Sequence, residues 1–479
     1  MPVARSTPRL LSLVFVASVV FCCCLIFLGE FADRQRGGRK KSDDSENRRI
    51  VAFSLMKQIE IESEEFNCDG EFLIGEKPKE HTENQIWTNL KGTNVFIYSV
   101  YHDRRLYPYE YLRIIAMIKG TRNSTLFCQI LSQDGQYFIT RTRATKIWSK
   151  SWNQNDTHTY YNPFLISCYI PFGVTPISVS FSLKPCEKAP IDFKISPEDT
   201  LPSKDLPHIF TICVKPLNFN KDISLKLLQW IVINQILGAT KMNLYVENLP
   251  KKTLKILQSF QKSQNGITLL KHDNLDSSFY LDETTNIWQK RRNEIITYND
   301  CLYRNIHTSH FIIPVDIDEI IVPRHVTTWA ELLHESLSES KDNFASYTVR
   351  NAYYLRQFNV KKRLKEKIVF FRNVVRSDFS GERESGKSFV STKNALTVFN
   401  HYALKTLRPG IGRIKFLKKE LVQMNHYKDN CDTVILPECA KYLSSPVRVV
   451  DNVILKYKKV FYREYAKALM FLNQTMSLS

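Results

Sequence analysis

The residues best equipped for chemistry lie together at Asp316-Ile317-Asp318-Glu319, inside the run 310–323, HFIIPVDIDEIIVP. Three carboxylates fall within four residues, and apolar runs flank them on both sides. Carboxylate charge is costly to bury unless it is paired or bound to a metal, so this composition suits a simple strand poorly. On an extended chain Asp316 and Asp318 point to the same side. Two hard oxygen ligands on one side, at the end of a strand, suit Mg²⁺ or Mn²⁺ carrying a diphosphate. The plainer reading of an isolated Asp-x-Asp is a strand running into a solvated acidic turn, since so short a motif often arises by chance. The surrounding elements decide between the two.

Those elements alternate in type. Residues 209–214 read as a buried strand ended by Lys215-Pro216. Asp222 caps a helix with Leu225, Leu228, Val232 and Ile236 on one face and Gly238 at its end. A strand at 242–246, a helix at 250–264 and a strand at 267–270 follow. A longer helix, roughly 284–306, precedes the strand 311–315. Such alternation implies right-handed crossovers and a mainly parallel, Rossmann-like sheet, in which ligands bind beyond the carboxyl ends of the strands. Asp316-Ile317-Asp318 sits at that end of the fourth strand. Pro314 disagrees, because proline cannot donate a ladder hydrogen bond; it must occupy a bulge or the last ladder position.

At 479 residues the chain can hold two or three domains. Residues 10–28 are uncharged and almost wholly apolar, long enough to span a bilayer. They run into Cys22-Cys23-Cys24 rather than a small-residue cleavage site, which points to an uncleaved signal-anchor. Basic residues on both sides leave orientation open by charge, but sequons at Asn123, Asn155 and Asn473 and eight further cysteines favour a lumenal body. Cysteine pairing is not readable from sequence. The expected order is a tail at 1–9, the span at 10–28, a stem at 29–90, a β-rich domain at 91–186, a linker at 187–207, the domain of alternating strands and helices at 208–445 and an extension at 446–479. Strands of the β-rich domain are expected at 95–101, 112–118, 126–131, 137–140 and 177–183. The net charge of +19 is spread along the chain without a nucleic-acid-binding motif, so no nucleic-acid partner is expected.

Several blocks resemble glycosyltransferase family 92. They are 210–217 (FTICVKPL), 230–245 with Leu237-Gly238-Ala239, Asn299-Asp300-Cys301-Leu302-Tyr303-Arg304, and Asp316-Ile317-Asp318-Glu319. Lys387-Ser388-Phe389-Val390, Asn400-His401 and Asn425-His426-Tyr427 resemble later blocks, and 95–101 and 164–171 resemble a β-rich segment upstream. The similarity covers roughly 92–440. It implies a GT-A fold, a UDP-sugar donor, Mn²⁺ or another divalent cation, a glycan or glycoprotein acceptor, and inverting transfer. Characterised relatives move galactose from UDP-galactose, which implies β-galactosyl transfer by a single-pass type II membrane protein with a lumenal catalytic domain in the Golgi. Two departures stand out: Pro314 precedes the acidic motif, and Lys428 stands where the family pattern has arginine, losing a bidentate fork for phosphate.

On that resemblance Asp318 ligates the metal, and Asp316 either shares it or holds the ribose. Glu319 either orients these carboxylates or accepts a structural hydrogen bond. His401 and His426 are the candidates to complete the metal site. Inverting transfer needs a carboxylate base, and Asp378, Glu382 and Glu384 lie in the polar loop SDFSGERESGK. Lys387 and Arg383 either touch phosphate or balance these acids. Trp288 is expected in the core. Cys213 and Cys301 are read as structural, because no base partner is evident for a thiolate nucleophile. The competing classes are an inactive glycan-binding or scaffold protein of the same fold, a retaining GT-A transferase and, more distantly, a polyanion-binding membrane protein.

Overall fold

The computed structural model describes Phe66, Cys68, residues 79–80 and residues 86–477, apart from 121–124, 150–151, 153–159, 190, 196–208, 264–265, 276–282, 339–342, 360–365, 383, 385 and 432–436. All of them fall within one compact unit, Glu62–Ser479. The expected anchor at 10–28, Asn123, Asn155 and Arg383 lie outside the described residues. Among those described, no helix is long and apolar enough to cross a membrane.

The amino-terminal half is two five-stranded sheets. In chain order its strands are β1 (Lys79–Glu80), β2 (Thr88–Asn89), β3 (Val95–Asp103), β4 (Glu110–Lys119) and β5 (Phe127–Ser132). β6 (Tyr137–Arg141), β7 (Arg143–Lys146), β8 (Tyr161–Ile170), β9 (Pro176–Ser182) and β10 (Ile191–Lys194) complete them. The spatial orders are β2-β3-β4-β8-β7 and β1-β10-β9-β5-β6. Strand periodicity divides the side chains of β4 between two cores. Leu112, Ile114, Ala116 and Ile118 meet Ile130 of β5 and Phe181 of β9, while Ile115 and Met117 join a cluster on the opposite face. A disulfide between Cys128 and Cys168 joins β5 to β8.

Three expectations about boundaries change here. β10 lies in the expected linker but pairs with β9 and β1. In the expected stem, Thr88 and Leu90 are buried, and Cys68 is bonded to Cys186. β8 was not among the expected strands; within it Pro163 pairs with Met117 and its carbonyl accepts from Ile147 N at 2.8 Å.

The second half opens with the expected alternation: β11 (Phe210–Asn218), α1 (Ser224–Leu237), β12 (Lys241–Asn248), α2 (Lys251–Ser263), β13 (Ile267–Lys271), α3 (Glu283–Arg304) and β14 (Phe311–Pro314). α1 begins where Asp222 Oδ1 accepts from Ser224 N at 2.9 Å, and it ends at Gly238, whose φ of 120° disfavours a side chain. Leu228 and Val232 face the core as expected, whereas Leu225 is 54% exposed. Further on come β15 (Glu319–Pro323), α4 (Trp329–Ser338), β16 (Phe344–Leu355), α5 (Val369–Arg372), β17 (Val375–Arg376), β18 (Gly386–Ser391), β19 (Ala395–Val398), β20 (Ala403–Thr406), β21 (Gly412–Phe416) and β22 (Val422–Lys428). α6 (Pro437–Ser444), β23 (Val449–Val450) and α7 (Lys458–Ser477) close the chain.

The main sheet runs β13-β12-β11-β14-β18-β16-β22-β15, with β21 paired to β16. Its first four strands are parallel, as are β16–β22 and β16–β21, whereas β14–β18, β18–β16 and β22–β15 are antiparallel, so parallel pairs predominate, as expected, in a mixed sheet. Sequence alternation reports the crossovers from β11 to β14; from β17 to β22 the strands follow one another without an intervening α-helix among the described residues. The expected extension also belongs to the body. Phe461, Ala468 and Leu472 of α7 lie in the main core with residues of α1 and α2, and Asn473 is exposed near the end of this helix.

α3 joins the two halves. Ile295, Ile296, Tyr298, Leu302 and Tyr303 pack with Met117 and Leu165 on one side and Tyr245 and Ile312 on the other. Buried Arg292 lies over Trp148 and Tyr160 at 4.1 and 4.0 Å. Trp288 is half-buried and packs against Trp148, in line with a core role. Cys301 is disulfide-bonded to Cys213 of β11. Asp300, fully buried, accepts from Tyr101 of β3 and Tyr245 of β12, each at 2.5 Å, and pairs with Arg304 at 3.2 Å. Asp300→Ala strands two buried hydroxyls and a cation together. It should cost about 3–5 kcal/mol in urea unfolding; a loss below about 1 kcal/mol would show that this junction does not hold the halves together.

Candidate active site

β14 ends at Pro314, and the chain turns before returning as β15. Val315 N donates to Cys213 O at 3.3 Å, so Pro314 faces the opposite edge, where pairing with β18 stops at Ile312. The proline therefore costs no ladder bond. Asp316-Ile317-Asp318 forms a tight turn rather than extended strand. Glu319 N donates to Asp316 O at 3.0 Å, and Asp316 N donates to Glu319 Oε2 at 2.8 Å. Tyr427 N donates to Asp318 O at 2.8 Å, and Trp230 Nε1 to Glu319 O at 2.9 Å, which locks the turn to β22 and α1.

Each carboxylate meets a cation from a different strand. Lys215, at the end of β11, lies 3.3 Å from Asp316 and 3.6 Å from Glu294 of α3. Lys387, at the start of β18, lies 3.2 Å from Glu319, and Lys428, at the end of β22, lies 2.8 Å from Asp318. Gly386 permits the approach of Lys387: a Cβ there would sit 2.6 Å from Val349 O. Burial pushes the Asp316 carboxyl up, but Lys215 and Lys387 outweigh it and hold the group below the ordinary carboxylate range. Burial likewise opposes ionisation of Asp318, and His426 with Lys428 overcomes it.

His426 comes to this turn, while His401 bonds the backbone of Gly386, next to Lys387. β15 pairs with β22 so that Glu319 faces His426, whose Nδ1 is 3.8 Å from Glu319 and whose Nε2 is 3.8 Å from Asp318. His426 is buried and stacked on Tyr353 at 5.2 Å. His426 Nε2 and Asp316 Oδ1 are buried without a hydrogen-bond partner among the described residues. His401 Nδ1 lies 2.7 Å from Gly386 O, and a carbonyl can only accept, so Nδ1 carries the proton and Nε2 presents its lone pair. Burial, reinforced by Lys387, pushes His401 down to about 3.

The loop carboxylates do not come together there. Asp378 and Glu382 are exposed, and Asp378 Oδ1 accepts from Phe379 N at 2.7 Å. Glu384 departs from the role expected of a base. It pairs with Lys441 at 2.6 Å, accepts from Tyr442, and is held down at about 2, first by the Lys441 hydrogen bond. A carboxylate so well bound is a poor proton acceptor and acts as a clasp between the loop and α6. The Cys431–Cys439 disulfide fastens the same helix.

Residues that the sequence did not single out line the neighbouring strand ends. Glu247, at the end of β12, accepts on Oε1 from Asn218 at 2.8 Å and Asn274 at 2.6 Å, and Asn293 of α3 donates to Asn274 at 2.6 Å. Burial raises the Glu247 carboxyl. Glu247 and Glu294 have no motif spacing, and only their strand-end or helix-facing positions could have marked them; Lys215 lies in the family-like block 210–217, but nothing there gave it a role.

The donor set suits a hard divalent cation: carboxylate oxygens, an imidazole lone pair and two buried atoms without partners. Among the described residues no three His, Cys, Asp or Glu side chains form a ready metal-holding group, so phosphate oxygens would have to complete one. An acidic turn ringed by lysines at the carboxyl end of parallel strands has the charge pattern for a cation with a phosphorylated ligand.

The profile of glycosyltransferase family 92 matches residues 208–465. The chain belongs to that family. It is 22% identical over 329 residues to the beta-1,4-galactosyltransferase galt-1 of Caenorhabditis elegans, covering 66% of this chain and 69% of the relative. It is 26% identical over 229 residues to a second family 92 protein of that organism, covering 46% of this chain and 42% of the relative.

The His401 shift has a sign. Its folded value lies below the ordinary 6.5, so the unfolded chain binds the proton first. The stability tied to neutral His401 is complete above about pH 6.5 and drains as pH falls toward 3. His401→Gln should flatten the acid limb of stability across that window by about one proton, read from urea midpoints; an unchanged slope refutes a buried neutral imidazole.

Proposed function

We propose that the chain is a metal-dependent inverting glycosyltransferase that moves galactose from UDP-galactose onto a glycan acceptor in the secretory pathway, in keeping with a GT-A fold. The family and the name of the galactosyltransferase relative support the class. The observation that carries the reading is the Asp316–Asp318 turn, its carboxylates held by Lys215, Lys387 and Lys428, with Asp316 Oδ1 and His426 Nε2 lacking a hydrogen-bond partner among the described residues.

Asp318 and Asp316 would hold Mn²⁺, with His401 or His426 contributing nitrogen; the metal would neutralise charge on the departing diphosphate. Lys215 and Lys387 stand where phosphate oxygens would exchange for carboxylate partners. Glu319 bonds the turn and faces His426, so it serves as structural acceptor and orienting group together. Glu247, with one oxygen fixed by two asparagine amides, would receive nucleoside hydroxyls at the adjacent strand end. Asp378 and Glu382 remain the loop candidates for the base, and Glu294 joins them because it borders the turn.

The full chain with UDP-galactose, Mn²⁺ and a glycan panel should release UDP and form a β-linked product. Asp318→Ala and Asp316→Ala should each lower kcat/KM by roughly 10²-fold or more, a scale typical of losing one electrostatic stabiliser. Full activity in either variant removes these carboxylates from the mechanism. The three lysines also support a second reading, in which they bind the diphosphate without metal. Activity that survives exhaustive chelation and fails in Lys215→Ala and Lys428→Ala would establish it in place of the first.

A further inference from the structure

A second cleft lies in the amino-terminal half. Its volume is about 680 Å³, and His102, Arg104, Tyr107, Glu110, Gln133 and Phe172 are among its lining residues. It sits where the end of β3 and the start of β4 meet the turn between β8 and β9. His307 Nε2 lies 3.2 Å from His102 O just before β14 begins, so the cleft adjoins the amino ends of the parallel strands, away from the carboxylate turn.

We infer that this cleft binds a neutral oligosaccharide. Two aromatic rings stand at its rim, Tyr107 at 73% and Phe172 at 60% exposure. Large rings held so far into water form the flat apolar faces on which sugar C–H surfaces stack. The turns that carry them are ordered. Tyr107 N donates to Arg104 O at 3.1 Å, and Val174 N to Pro171 O at 3.2 Å. Arg105, within the first turn, pairs with Asp103 at 2.7 Å and donates to Ala395 O at 2.7 Å, so its guanidinium pins the loop to the second half. The platform is therefore built before a ligand arrives, which lowers the entropic cost of binding.

The floor supplies the polar half. Glu110 lies 2.7 Å from His102 Nε2 and 3.1 Å from Arg104 Nε. This fork combines an acceptor with donors, as sugar hydroxyls require. One carboxylate balanced by one guanidinium leaves no excess charge to recruit a polyanion. A cleft with rings at its rim and a compensated polar floor fits a short saccharide better than a flat protein face. Binding does not depend on the transferase reading; if that reading holds, the cleft tethers a branched acceptor and raises its effective concentration.

The test uses the full chain without donor nucleotide and a panel of neutral oligosaccharides ending in galactose, mannose, N-acetylglucosamine or fucose. Saturation-transfer NMR and calorimetry should detect binding, and Tyr107→Ala/Phe172→Ala should weaken it roughly tenfold or more, with UDP-galactose hydrolysis unchanged. Three results overturn the proposal, the first two being no saccharide bound by the wild type, or binding that the double variant leaves intact, which would place it in the acceptor subsite. Capture of a polypeptide instead, abolished by the same variant, would make the cleft a protein-docking surface and also overturn it. Saccharide binding without any transfer would sink the proposed enzyme alone.

Discussion

Three carboxylates packed into one turn at the edge of a hydrophobic core are a costly arrangement on which the site depends. Glu319 is almost fully buried, and Asp316 and Asp318 are mostly so. Charge in such a place demands partners. The partners are Lys215, Lys387 and Lys428, one from each of three strands, so the acidic turn depends on correct pairing of β11, β18 and β22. The mixed sheet follows from the same demand. Only a strand returning antiparallel beside β22 sets Glu319 opposite His426 and lets Tyr427 N bond Asp318 O.

The second dependence is on α3. It is buried almost all round, which in a soluble protein means elements pack on both of its sides. The β4–β8 face covers one side and the β11–β12 face the other, with Asp300 bonded to a tyrosine from each half. The same helix carries Glu294 and Asn293 to the strand ends. Packing between the halves therefore fixes the height at which these polar groups meet the acidic turn.

Much of this was legible in the chain. Apolar runs and caps located β11 to β14 and the helices between them, and the Asp-x-Asp spacing located the turn. Where the reading went astray, a local signal was outweighed by pairing. β8 was not expected, yet ten residue pairs join it to β4; the charged run after Cys186 read as linker, yet Ile191–Lys194 completes a sheet. Glu384 carried the right chemistry for a base, but α6, distant in sequence, supplies Lys441 and Tyr442 and holds its carboxylate.

By itself the sequence determined the family blocks, the order of the first strands and helices, and the identity of the acidic turn, because these depend on residue type and short-range spacing. Only the tertiary structure decided which cations face the turn, that the sheet is mixed, how the eight cysteines pair, and that Glu247 and Glu294 stand beside the site. Those are contacts between residues tens to hundreds of positions apart. Strand register and helix docking select them, and no local pattern records either.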